Sequence, residues 1–135
     1  MFHEWAVTYA GRETEDEQSL VQMMGALPEK FYVIGAPNDS STTIDHELSH
    51  AFFHLFPDYR IIMLSMFRGY DVTGVRKYLK SNMYAPDVFL DESIAYIMFD
   101  DALLHAAGVS TKHLRCLRGG MLGVYKAYKD RLIKL

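Results

Sequence analysis

Residues 46–50 read His-Glu-Leu-Ser-His, which matches the pattern H-E-x-x-H. Residues four apart in a helix lie on one face, one turn from each other, so the imidazoles of His46 and His50 can converge on a single ion. Neutral imidazole is a favoured ligand of Zn²⁺. Glu47 lies beside the first ligand and could accept a proton from zinc-bound water, whose pKa the metal lowers to about 7. The pattern predicts a zinc site that activates water for hydrolysis.

The residues around this motif predict the helix that must carry it. Thr42 and Asp45 form a plausible capping box at its start, and Pro57 stops the helix after about Phe56. Five apolar side chains fall on one side of the predicted helix, and both histidines fall on the other: Ile44, Leu48, Ala51, Phe52 and Leu55. We therefore expect one face to anchor in the core and the other to line a cleft. Because five-residue patterns also occur by chance, two histidines on a solvated face are the competing interpretation.

A catalytic zinc site normally has three protein ligands and one open position for water. Glu92, in the segment Leu-Asp-Glu-Ser-Ile-Ala of residues 90–95, is the strongest candidate for the third ligand. His54 and Asp58 remain alternatives. His54 and His46 would be about 12 Å apart along a straight helix, so all three histidines cannot meet one ion. Asp58 lies beyond Pro57 and would have to fold back.

An H-E-x-x-H helix followed by a helix with E-x-x-A resembles the gluzincin group of zinc metallopeptidases. The segment Leu90-Asp91-Glu92-x-x-Ala95 is similar to the L-N-E-x-x-A pattern of the aminopeptidase branch, with Asp91 in place of Asn. The resemblance implies that two histidines and Glu92 hold the metal and that Ala95 packs the second helix against the first. The spacing from His50 to Glu92 is longer than in thermolysin-like enzymes, and phage-immunity metallopeptidases are a second similar group.

Other side chains are candidates for supporting roles around the metal. Ligand histidines usually donate their second N–H to a carboxylate or carbonyl, and Asp91 is a candidate for that role, with Asp45 a weaker one. Zinc peptidases commonly use a Tyr or His to stabilise the tetrahedral intermediate, and here Tyr96 and Tyr84 are the candidates. Glu92 could instead be a carboxylate near the N-terminus of its helix, where the helix dipole favours a negative charge.

The rest of the chain predicts a single α+β domain over residues 1–135, mostly helical with a small β-sheet. Strands are expected at residues 4–9 and 31–34, where β-branched and aromatic residues end at glycines. Helices are expected at 15–27, 72–82 and 90–107, with another from Ser110. Gly119-Gly120 is expected to break that helix before a last one from Met121. Residues 61–67 fit either a helix or a strand.

Composition limits the classes of function. The chain has 135 residues, a net charge of -3 and a pI near 6.0, which argues against a general nucleic-acid binder. Its longest apolar stretches fall short of the ~20 residues needed to span a bilayer. Cys116 is the single cysteine, so no internal disulfide can form. Because the first residues do not resemble a signal peptide, we expect a cytoplasmic protein.

These patterns together predict a zinc-dependent hydrolase, a peptidase that acts on a peptide or protein substrate. The strand predicted at 31–34 could align the substrate by edge pairing. The alternative is a non-enzymatic protein-binding or regulatory module that retains zinc for stability. Such a module would hold its zinc in a closed, four-ligand site that recruits His54 or Asp58.

Overall fold

The computed structural model describes residues 41–133 without a gap, together with 32–35, Glu15, Gln18 and Gln22. The chain divides into two compact units, residues 1–33 and 34–135, and the helices below belong to the second. They are α1 (Ser41–Leu55), α2 (Pro57–Phe67), α3 (Thr73–Ser81), α4 (Phe89–Phe99), α5 (Asp101–Ala106) and α6 (Arg115–Ile133), with 3-10 turns at Pro86–Val88 and Lys112–Leu114. Among the described helices, none combines the length and apolar character needed to cross a bilayer.

The prediction of an α+β fold is wrong for the part of the chain that the structure describes, which contains helices and no strand. Residues 32–34 of the predicted strand 31–34 have no regular secondary structure, and the predicted strand 4–9 lies outside the described residues. β-Branched and aromatic residues favour a half-buried pleated surface, but a strand forms only where a partner strand is available. Of the predicted helix 15–27, the three described residues, Glu15, Gln18 and Gln22, are helical.

Pro57 separates two helices. α1 ends at Leu55, and Pro57 is the first residue of α2, with the extended Phe56 between them. Proline suits the first position of a helix because its ring fixes φ and its missing N–H would have no partner there. The ambiguous residues 61–67 are therefore helical, as part of α2, and the predicted helix 72–82 is confirmed as α3.

The predicted helix 90–107 is interrupted at Asp100. This residue has φ −122° and ψ 30°, outside the helical region, and it separates α4 from α5. Its side chain is engaged elsewhere, at the site described below. Gly108 ends α5 with a φ of 79°, so the predicted stop is confirmed.

The predicted break at Gly119-Gly120 is wrong, because α6 runs through both glycines. A Cβ atom at Gly120 would overlap the Cε atom of Met66 on α2. A side chain at Gly120 would therefore have to displace the tip of Met66, and α6 continues despite the cost of about 1 kcal/mol for a glycine inside a helix.

The core holds α1 between α4 and α6. Phe52 of α1 is 1% exposed, and its ring centroid lies 5.6 Å from that of Tyr59 and 5.5 Å from that of Tyr125. On α4, Ile94 and Ala95 are fully buried. Full burial of one large apolar side chain stabilises the fold by about 1.5–3 kcal/mol, so these contacts fix the helix positions firmly. The histidine face of α1 is thereby packed on α4.

Met83 adopts a left-handed backbone conformation that usually belongs to glycine. Its φ is 69°, and the amide of Tyr84 donates to the carbonyl of Leu79 over 3.1 Å, which closes the C-terminal end of α3. Gly108 has the same role at the end of α5, where the amide of Val109 donates to the carbonyl of Leu104 over 2.9 Å. Both helix ends are Schellman motifs, but only the end of α5 has glycine at the left-handed position, the residue that the motif prefers.

Met83→Gly should stabilise the protein by about 0.5–1 kcal/mol, because it removes left-handed strain that exceeds the added flexibility of the unfolded chain. The Met83 side chain is 91% exposed, so no packing is lost. Urea unfolding measures the change. As the matched control, Gly108→Ala should destabilise the protein by about 1 kcal/mol. A loss of stability in Met83→Gly would contradict this account of the turn.

Candidate metal centre

The structure brings together the three predicted ligands, His46 and His50 on α1 and Glu92 on α4. One ligand atom from each lies within 4.8 Å of the others. The Oε2 atom of Glu92 is 3.4 Å from the Nε2 atom of His46 and 3.4 Å from the Nε2 atom of His50. Ligands about 2.0–2.1 Å from a tetrahedral ion are separated by about 3.3–3.4 Å, so these distances fit one such ion. The group could hold a metal ion.

The Oε2 atom of Glu92 is buried and accepts no hydrogen bond, although two imidazole nitrogens lie close to it. A buried carboxylate needs a compensating positive charge, which two protonated imidazoles or a cation can supply. A cation placed between the carboxylate and the two nitrogens would satisfy all three atoms. Two imidazoles and one carboxylate are also a donor set that zinc and other divalent transition ions accept.

Each histidine has a carboxylate at its other ring nitrogen. Nδ1 of His46 contacts Oδ2 of Asp100, and Nδ1 of His50 lies 2.8 Å from Oδ1 of Asp91. The second contact is at ion-pair distance but lacks the alignment of a hydrogen bond. Both rings therefore turn Nε2 toward Glu92. This is the arrangement in which carboxylates orient metal-binding histidines and increase their basicity.

Of the supporting carboxylates, Asp91 lies where the sequence predicted, whereas Asp100 was not anticipated. Glu92, Tyr96 and Asp100 are spaced four apart, which places them on one face of α4 and its end. This spacing was the available signal. The carboxylate of Asp45 is engaged differently: it accepts hydrogen bonds from the hydroxyl of Tyr125 and from Nζ of Lys129, so it ties α1 to α6.

Tyr96 and Tyr84 both lie near the cluster. The ring of Tyr96 packs edge-on against His46 with 5.2 Å between ring centroids, and its hydroxyl oxygen is 3.0 Å from that of Tyr84. Burial raises the pKa of Tyr96 well above its usual value of 10, and the contact with Tyr84 raises it further. Tyr96 is therefore a neutral hydroxyl that can donate a hydrogen bond.

Glu47 lies on α1 next to the first histidine and is half-buried. Within the part of the chain that the structure describes, its carboxylate forms no hydrogen bond or ion pair.

The cluster contains neither of the other candidates for the third ligand. His54 is one turn beyond His50, and its Nε2 atom is 2.9 Å from Oδ2 of Asp91. Asp58 lies on α2, where it accepts a hydrogen bond of 2.6 Å from the hydroxyl of Tyr128.

Without a metal, the cluster is a network of opposite charges. Burial alone would lower the pKa of both histidines, but the carboxylates outweigh it: Asp100 and Glu92 raise the pKa of His46 to about 9, and Asp91 and Glu92 raise that of His50 to about 10. Burial would likewise raise the pKa of Glu92, but the two histidines lower it to about 2. At neutral pH the metal-free site therefore holds two imidazolium rings around a carboxylate.

Comparisons of the chain with models of protein families, with curated proteins and with solved structures found no match. The resemblance to gluzincins therefore stays a prediction based on two short motifs.

Metal binding should release close to two protons from the histidines at pH 7.5, besides any proton that metal-bound water loses, because each Nε2 atom must lose its proton before it can bind the ion. Histidines with an ordinary pKa of 6.5 would together release only about 0.2 protons at this pH. Metal affinity should accordingly increase as pH rises toward 9–10, the range of the two raised pKa values. Calorimetric titration in two buffers of different protonation enthalpy measures the released protons. A total release of about one proton or fewer would contradict the raised pKa values of His46 and His50.

Asp100→Ala should weaken metal affinity by about 10–100-fold, because the His46 ring loses the carboxylate that orients it. The neighbouring Asp101 provides a matched control, since its carboxylate accepts a hydrogen bond from Thr111 instead. Asp101→Ala should leave metal affinity within about 2-fold of the unmodified protein, because no ligand depends on its carboxylate. Competition with a chromophoric chelator measures both variants, and equal affinities in the two would exclude the proposed role of Asp100.

Proposed function

We propose that this chain is a zinc-dependent hydrolase that cleaves peptide bonds, with Zn²⁺ held by His46, His50 and Glu92. The observation that carries the proposal is the buried Oε2 atom of Glu92, which has no aligned hydrogen bond and lies 3.4 Å from Nε2 of His46 and 3.4 Å from Nε2 of His50. Nitrogen ligands favour zinc over Mg²⁺ and Ca²⁺, which prefer sites made of oxygen ligands.

A zinc ion bound here would lower the pKa of a coordinated water and polarise the carbonyl of a substrate. Glu47 would accept a proton from the attacking water and would then donate it to the departing amine. Its position beside His46 and its freedom from other described partners suit this role.

Tyr96 is the proposed donor to the oxygen that becomes negative during the attack. Either hydroxyl can be the donor in the pair, and when Tyr84 donates, the hydrogen of Tyr96 is free to donate to the substrate. Burial, the largest cause of the raised pKa of Tyr96, acts in either arrangement. Because Tyr96 is neutral, it can make this bond without a separate proton transfer. Tyr84 would then orient Tyr96, and Tyr96 would contact the substrate.

The choice of an enzyme over a structural zinc site depends on the number of ligands. A closed site needs a fourth protein ligand, and the metal-binding group found among the described residues has three. His54 and Asp58, which the non-enzymatic alternative requires, are engaged with Asp91 and Tyr128. These contacts favour a fourth position that is open to water.

The choice of a peptide substrate depends on the gluzincin resemblance, and the helix packing is consistent with it. Ala95 is fully buried on α4, the helix on which α1 packs, as the resemblance implies. Residues 32–34 do not form a strand, so the predicted alignment of the substrate by edge pairing at 31–34 has no strand to use.

Glu47→Gln should reduce hydrolysis by at least about 10²-fold while zinc stays bound, because the amide cannot accept a proton but does not touch the ligands. The measurements are turnover of a quenched fluorescent peptide library and zinc content by mass spectrometry. Asp130→Asn makes the same chemical change at an exposed position on α6 and should leave turnover unchanged.

Full activity in zinc-loaded Glu47→Gln would exclude the proposed base. A zinc-loaded, unmodified protein without any hydrolytic activity would instead favour the binding or regulatory module.

A further inference from the structure

Asp91 is a buried carboxylate that lies between two histidines of α1. The residue is 7% exposed, its Oδ1 atom is 2.8 Å from Nδ1 of His50, and its Oδ2 atom is 2.9 Å from Nε2 of His54. His50 and His54 are one helical turn apart and therefore on the same face of α1. Asp91, in the first turn of α4, thus joins a predicted zinc ligand to a histidine outside the ligand group.

The two contacts of Asp91 differ in quality. The contact to His54 is an aligned hydrogen bond, whereas the contact to His50 has the distance of an ion pair without that alignment. Among the side-chain contacts found in the described part of the chain, the bond from His54 is therefore the one that fixes the direction of the Asp91 carboxylate. The direction of the carboxylate in turn determines how it meets the ring of His50.

We propose that His54 is a positioning residue of the metal centre, which holds Asp91 so that Asp91 holds His50 for zinc. This inference rests on the proposed zinc site. The physical reason is rotational freedom: a carboxylate held at one oxygen can turn about its terminal bond, and a bond to the second oxygen restricts that rotation. A fixed Asp91 keeps the proton of His50 on Nδ1 and leaves Nε2 for the ion.

The exposure of His54 makes the proposal testable without disrupting the core. Its side chain is 53% exposed, so its removal creates no buried cavity. His54→Gln offers a conservative replacement, because the amide nitrogen of Gln lies near the position of Nε2 in His and can donate to the same oxygen. His105, an exposed histidine on α5, provides the matched control.

The experiment measures Zn²⁺ affinity by competition with a chromophoric chelator at fixed pH. His54→Ala should bind Zn²⁺ about 3–10-fold more weakly, less than the 10–100-fold typical of a direct partner of a ligand, because it acts through Asp91. His54→Gln should stay within about 2-fold of the unmodified protein, and His105→Ala should be unchanged.

A second measurement separates positioning from a general structural role. In an Asp91→Asn background the further change His54→Ala should have little effect, because the carboxylate that it positions is gone. A merely structural role would instead lower the thermal stability of metal-free His54→Ala and leave its Zn²⁺ affinity unchanged. Unchanged affinity in His54→Ala would overturn the inference while the zinc site stands, whereas failure of the unmodified protein to bind Zn²⁺ would remove the zinc site itself.

Discussion

The arrangement of side chains in the candidate metal centre depends on how the negative charge of Glu92 is compensated. Its carboxylate is carried into a partly buried position on α4, where its Oε2 atom has no hydrogen bond and faces two imidazole nitrogens. A charge in such a place must be compensated, because burial removes most of its hydration. Two protonated histidines can compensate it, and so can a divalent ion. The two Nε2–Oε2 distances of 3.4 Å are compatible with the second solution, and the group could hold a metal ion.

The packing of α1 on two neighbours fixes this spacing. On one side, Phe52 lies in an aromatic core with Tyr59 and Tyr125, and Asp45 accepts hydrogen bonds from α6. On the other side, α4 supplies the three carboxylates that contact the histidines of α1: Asp91, Glu92 and, at its end, Asp100. The break at Asp100 serves this arrangement, since its non-helical backbone ends α4 where its side chain reaches His46. Core packing thus fixes the positions of α1 and α4, and these two helices carry the histidines and carboxylates of the site.

Local spacing made much of the site predictable from sequence. His46 and His50 share a face because they are four apart in a helix, and Glu92 followed from its motif. Asp100 continues the row of Glu92 and Tyr96, so the same helical spacing indicates its place near His46, although its role was not predicted. The errors concern contacts between distant segments. Residues 31–34 favour a strand by composition, but 32–34 have no regular secondary structure. No local pattern shows that α6 continues through Gly119 and Gly120 and packs on α2.

The most direct test is a crystal structure of the protein with Zn²⁺ added, recorded on both sides of the zinc absorption edge. The account predicts one anomalous peak bound by Nε2 of His46, Nε2 of His50 and a carboxylate oxygen of Glu92, with a fourth position occupied by water. Bond lengths should be about 2.0–2.2 Å. No peak at this cluster, or an ion held there without Glu92, would contradict the account.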